Sequence, residues 1–147
     1  MKKVDIYTDG ACSGNPGEGG WGVVLIYKDT EKRMSGYEKE TTNNAMEITA
    51  AIKGLEALKE PCDVTLYSDS AYLVNGFNLG WVHKWKSLGW KRTPKDELKN
   101  KELWMRLYEL NLIHRVRFVK VKGHADNEYN NICDTLATEA IANKKGI

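Results

Sequence analysis

Near the start of the chain apolar positions recur at every second residue, the period of a half-buried strand. Val4, Ile6 and Thr8 alternate with Asp5, Tyr7 and Asp9, and residues 21–27 form a β-branched and aromatic run. The Gly-rich stretch 14–20, around Asn15 and Pro16, reads as the turn between them. After a polar turn at Asp29 and Thr30, residues 33–40 read as a third strand. Connections this short favour antiparallel neighbours. From Asn43 the period lengthens to that of a helix. An Asn stands at the cap position, Glu47 follows three residues after Asn44, and Ile48, Ile52, Leu55 and Leu58 share a stripe that ends before Pro61. Alternation returns at 63–68, and 70–111 reads as helical pieces broken near Gly76, Gly80, Gly89 and Pro94. A fifth strand is expected at 116–121 and a closing amphipathic helix at 130–144, through Cys133, Leu136, Ala137, Ala140 and Ile141. This order predicts an α/β fold, a mixed five-stranded sheet with helices on its faces. With no repeat, linker or low-complexity tract, one domain over residues 1–147 is expected.

Composition narrows the class. The chain has 147 residues, 41% hydrophobic and 29% charged, a net charge of +2 and a mean hydropathy of −0.54. Disordered, collagenous and membrane classes are thereby excluded, and no stretch approaches the ~20 apolar residues that span a bilayer. The first residues run straight into strand-like sequence without the apolar core of a signal peptide. Cys12, Cys62 and Cys133 are odd in number, widely spaced and without zinc-type histidines, so a cytoplasmic location is expected.

Near-neutral charge argues against a nucleic-acid binder until its distribution is read. Residues 80–101 hold seven cations against two anions, a net +5 that leaves −3 for the rest of the chain. Lys84, Lys86 and Lys91 lie there, interleaved with Trp81, Trp85 and Trp90. Trp81, Trp85 and Leu88 share a helical face, so docking on the protein's own core is the plainer reading of Trp85, with Trp81 open to either role. A one-signed segment of this length attracts polyanions.

Four acids exceed what the fold pattern needs. Asp9 precedes Gly10 at the end of the first strand, where Asp-Gly is also a turn signal. Asp69 follows the fourth strand, where it could cap a helix. Glu47 lies on a stripe with Ala51, Gly54 and Leu58, and Asp134 precedes Ala137 and Ile141 on the last helix. Two acids thus come from strand ends and two from helix faces that pack on the sheet. Carboxylates converging there repel one another unless a divalent cation intervenes, and an all-oxygen set suits Mg²⁺ or Mn²⁺. Such a site is typical of two-metal phosphodiester chemistry.

These residues resemble bacterial type 1 ribonuclease H. The motifs are Y-T-D-G-A-C-S-G-N-P-G at 7–17, T-T-N-N-A-M-E at 41–47, Y-S-D-S at 67–70, W-V-H-K-W at 81–85, V-K-G-H-A at 121–125 and C-D at 133–134. They span essentially the whole chain in order. The resemblance implies a ribonuclease H-like fold, with three antiparallel strands, then two parallel ones, and helices on both faces. It implies hydrolysis of the RNA strand of RNA/DNA hybrids, leaving 5′-phosphate and 3′-hydroxyl ends. Asp9, Glu47, Asp69 and Asp134 would hold two Mg²⁺ ions, with Mn²⁺ a possible substitute, and His124 would serve proton transfer or product release. Cys12, Gly14, Asn15, Asn43, Asn44 and Glu47 would read the RNA strand and the minor groove. Thr42 and Asn100 would hold a DNA-strand phosphate and Trp81 a deoxyribose, with Trp90 and the three lysines completing the grip on the hybrid. A monomer without membrane association is expected. Ala71, Glu40 and Ala45 depart from the family's usual polar or basic residues, which bears on affinity and cleavage preference but leaves the four acids intact.

Overall fold

A computed structural model describes residues 1–122 and 127–147. Five strands, β1 (Lys2–Gly14), β2 (Gly17–Tyr27), β3 (Thr30–Thr41), β4 (Cys62–Ser68) and β5 (Arg115–Lys120), form one sheet in the order β3-β2-β1-β4-β5. β1 pairs antiparallel with β2 and β2 with β3, whereas β1, β4 and β5 run parallel. The helices are α1 (Asn43–Glu56), α2 (Ala71–Asn78), α3 (Trp81–Ser87), α4 (Lys101–Ile113) and α5 (Glu128–Asn143).

Strand alternation divides the core. Val4, Ile6, Val23, Val64 and Leu66 face α1, α2 and α4, while Val24 faces Cys133 and Leu136 of α5 on the other side. Buried Trp104 of α4 lies over Gly76 of α2, where an added Cβ would stand 2.5 Å from the indole. Gly76 is therefore a packing site inside α2 rather than the expected helix break.

The Gly-rich stretch is also shorter as a turn than expected. Only Asn15 and Pro16 lie between β1 and β2; Gly17, Gly19 and Gly20 belong to β2. Their missing side chains admit close neighbours: a Cβ on Gly20 would lie 2.3 Å from the Ala137 carbonyl oxygen of α5. The cap of α1 is Thr42, whose hydroxyl accepts from the Ala45 N–H at 3.2 Å, so neither Asn43 nor Asn44 caps the helix and no capping box ties Glu47. Likewise Ser70, not Asp69, caps α2, accepting from the Leu73 N–H at 3.2 Å.

Candidate active site

The site lies at the carboxyl end of β4 and in the middle of β1, just past the point where the two strands stop pairing, next to the place where the sheet changes from antiparallel to parallel pairing. Crevices at such a place are the usual ligand positions of open α/β sheets. Tyr7 and Tyr67 are register partners, their rings stacked with centroids 4.4 Å apart. Two residues beyond each stand Asp9, within β1, and Asp69, just past β4. Glu47 comes from α1, whose first turns press on β1 at Gly10; a Cβ there would lie 2.5 Å from the Glu47 nitrogen. The pair Asp9-Gly10 is thus no turn but a strand position that lets a helix approach. One oxygen each from Asp9, Glu47 and Asp69 falls within 4.8 Å of the others.

Asp134 is brought in by α5. A Cβ on Gly22 would stand 2.3 Å from the Cys133 carbonyl oxygen, and the Cys133 thiol donates to the Tyr7 carbonyl at 3.1 Å. The next residue, Asp134, thereby comes within hydrogen-bonding reach of the Asp9 carboxyl.

This crowding has an electrostatic signature. Burial pushes Asp9 up to about 8, reinforced by the charge of Asp69 and by Asp134, with the Gly10 N–H opposing. Glu47 is held well above the usual carboxylate range, by burial first and then by the charges of Asp9 and Asp69. Its Oε1 is buried and has no hydrogen-bond partner among the described residues. Burying an acceptor that bonds nothing is costly, and an oxygen-only cluster supplies the ligands a hard divalent cation takes. The donor set therefore fits such an ion.

Beside this cluster runs a cleft of about 1120 Å³. It gathers five residues expected to bind substrate: Asn15, Thr42, Asn43, Asn44 and Asn100. Asn15 Oδ1 accepts from the Asn43 N–H at 3.1 Å, joining the β1–β2 turn to the start of α1. Cys12 is half-buried, its thiol donating to the Thr41 carbonyl at 3.4 Å, and Gly14 closes β1 at a φ of +104° that favours glycine.

The basic segment divides. Lys84 and Lys91 are exposed, and Trp81 is half-buried with its ring 6.2 Å from that of Trp85. Trp85 packs toward the core, 5.3 Å from Trp104, while also lining the cleft. Lys86 and Trp90 turn elsewhere: the ammonium lies 5.6 Å over the Tyr108 ring and the indole meets that ring edge-on at 5.5 Å. None of Trp81, Lys84, Lys86, Trp90 and Lys91 lines the cleft, whose cationic lining is Arg92 and Lys99. Tyr72, which lines it, was not singled out by its sequence; its place in the first turn of the helix after Asp69 is the signal that could have found it. His124 lies outside the described residues.

The RNase H family profile matches residues 1–142. The chain belongs to the RNase H family. Ribonuclease H of Acetivibrio thermocellus is 67% identical over 141 residues, 96% of each chain. Ribonuclease H of Prosthecochloris aestuarii is 58% identical over 144 residues, 98% of this chain and 99% of that one. Among solved structures, a type 1 RNase H with the type 2 active-site motif matches with a TM-score of 0.84 at 30% identity, over 97% of this chain and 74% of its own. LC11-RNase H1 in complex with RNA/DNA hybrid matches with a TM-score of 0.68 at 27% identity, over 96% and 98%. Membership makes this RNase H an endoribonuclease and a divalent-metal-dependent hydrolase. The ribonuclease H-like fold expected from the motifs is the fold found.

Proposed function

We propose that this RNase H cleaves the RNA strand of RNA/DNA hybrids, leaving 5′-phosphate and 3′-hydroxyl ends, with Asp9, Glu47, Asp69 and Asp134 holding two Mg²⁺ ions or, in their place, Mn²⁺. The observation that carries this reading is the convergence of the carboxylates with one buried oxygen left unbonded. When bound, the ions supply neutralising charge, an activated water and stabilisation of the departing 3′ oxygen. The chain supplies the rest. Asp9 and Glu47 give up the protons their burial favours, so the site takes cations better as pH rises. Asn15, Asn43 and Asn44 both donate and accept, which suits them to the 2′-hydroxyls and base edges of a minor groove. Thr42, Asn100 and Trp81 hold the DNA strand, Lys84 and Lys91 supply the attracting field, and His124 moves a proton or frees product. The hybrid bound to LC11-RNase H1 supports this choice of substrate. Residues 1–147 act as one unit, a cytoplasmic monomer; no helix of the described residues is long and apolar enough to cross a membrane.

The deciding experiment is cleavage of matched RNA/DNA, RNA/RNA and DNA/DNA duplexes with and without Mg²⁺. Cutting of the hybrid alone, and only with the ion, is the expected result. Equal cutting of all three would falsify the substrate assignment, and a protein that binds the hybrid without cutting it would be a binding module.

A further inference from the structure

We infer that Tyr72 is a positioning residue of the cleft, fixing the Asn100 amide so that it presents its N–H to a phosphate of the DNA strand; the inference rests on the hybrid-cleaving reading above. Tyr72 stands in the first turn of α2, three residues after Asp69. Its hydroxyl lies between two donors, the Trp104 indole N–H at 3.0 Å and the Asn100 Nδ2 at 3.3 Å. Trp104 is fully buried, and an indole N–H can only donate, so the Tyr72 oxygen is its acceptor. The two donors fill the acceptor positions of the phenol oxygen and leave its own proton over. No acceptor for that proton is found among the described residues.

Asn100 has been diverted to make this contact. It precedes α4 as the N-cap, the place where an Asn side chain ordinarily accepts from the first turn, yet it makes no cap bond. Its backbone is left-handed, with φ of 59°. Strained conformations of this kind persist where surrounding contacts over-determine them. Here the side chain crosses to another helix and bonds Tyr72 instead.

The consequence is chemical. An amide is nearly symmetric in shape, and turned over it would offer Oδ1, an acceptor, to a phosphate oxygen. Donation to Tyr72 sets one sense of the amide, leaving the second Nδ2 hydrogen for the cleft that both residues line. Phosphate oxygens accept and do not donate, so that hydrogen suits the backbone of a nucleic acid strand.

Tyr72→Phe tests this, since the ring keeps its place 5.2 Å from Trp104 and only the oxygen is removed. Steady-state cleavage of an RNA/DNA hybrid with Mg²⁺ is measured for the parent, Tyr72→Phe, Asn100→Ala and the double variant. Tyr72→Phe is expected to raise KM about three- to tenfold with kcat within about twofold, the size of one missing hydrogen bond. The double variant should match Asn100→Ala alone, because Tyr72 acts through Asn100. Ile52→Val, a buried change on α1, is the stability control: it lowers the melting temperature while KM stays at the parent value. A parent-like KM in Tyr72→Phe, or a double variant whose KM rises by the product of the two single effects, would overturn the inference. A parent enzyme that fails to cut the hybrid would instead overturn the substrate reading on which it rests.

Discussion

Asp9 sits 4% exposed inside a strand paired on both sides, whereas Lys84 stands on a seven-residue helix with its side chain in solvent. The two regions carry opposite charge and are built at opposite cost. The acids are pressed together by close backbone approaches at Gly10 and Gly22, and each of Asp9 and Glu47 pays in desolvation and repulsion for its position. The cations need no such construction. Lys84 and Lys86 lie in the last turn of α3, where a positive charge suits the helix dipole, and their field reaches a polyanion through water. On the proposed function, the acid end needs precision because bonds are broken there, and the basic end needs only a field that attracts a strand.

That division places the largest effect of any single change at the acid end. Asp9→Asn removes a ligand charge with little change of volume. Its kcat on a hybrid should fall at least about a hundredfold while binding of the hybrid, read by fluorescence anisotropy, stays within about twofold. Loss of binding in step with activity would mean that Asp9 holds the site's shape rather than its chemistry.

The cost at the acid end should also be visible without substrate. Asp9 is pushed up to about 8 from an ordinary value of 3.8 and Glu47 moves the same way, so the folded state binds more protons than the unfolded one between those limits. That stability is fully present below pH 4 and is lost as pH rises through about 8. In chelator, the melting temperature set by this cluster should therefore fall from pH 5 to pH 8, and added Mg²⁺ should offset most of the loss. Asp9→Asn should flatten the profile, whereas an equally steep profile in that variant would place its origin elsewhere.

The same contrast explains what the sequence showed. Strand period, helix stripe and the order of motifs exposed the sheet and its acids, because a carboxylate on an apolar stripe such as that of Glu47 contradicts its surroundings. Glycine was harder to read. Around Asn15 the residues that look like one long turn include Gly20, where the sheet receives α5, and Gly76 looks like a helix break but makes room for Trp104. A missing side chain reads alike in a turn and under a neighbouring helix. The caps slipped by a residue for a related reason: Thr42 and Ser70 stand beside Asn43 and Asp69, which are equally good cappers. In the basic segment the lysines were legible as charge but not as direction, so that Lys86 over Tyr108 became apparent only in three dimensions.

Direction gives the test at the basic end. Replacing Lys84, Lys86 and Lys91 together by Ala should raise KM several-fold and flatten its dependence on salt, by about 0.7–0.9 in logarithmic slope for each phosphate no longer neutralised. Taken singly, Lys86→Ala should change the slope less than Lys84→Ala, since its ammonium rests on an aromatic ring. Equal slopes for the two would show that the field is indifferent to where each cation points.

The smallest effect separates function from capping at neighbouring residues. Ser70 accepts from the Leu73 N–H, so Ser70→Ala should cost about 1 kcal/mol of stability in a urea titration. Asp69 makes no cap, and its charge is one of the causes that raise both Asp9 and Glu47. Asp69→Asn should accordingly leave the metal-free protein as stable as the parent or more so, while nearly abolishing cleavage. If Asp69→Asn instead lost the stability expected of Ser70→Ala, the acid would be serving the helix, and the proposed ligand set would be short of the acid just past β4.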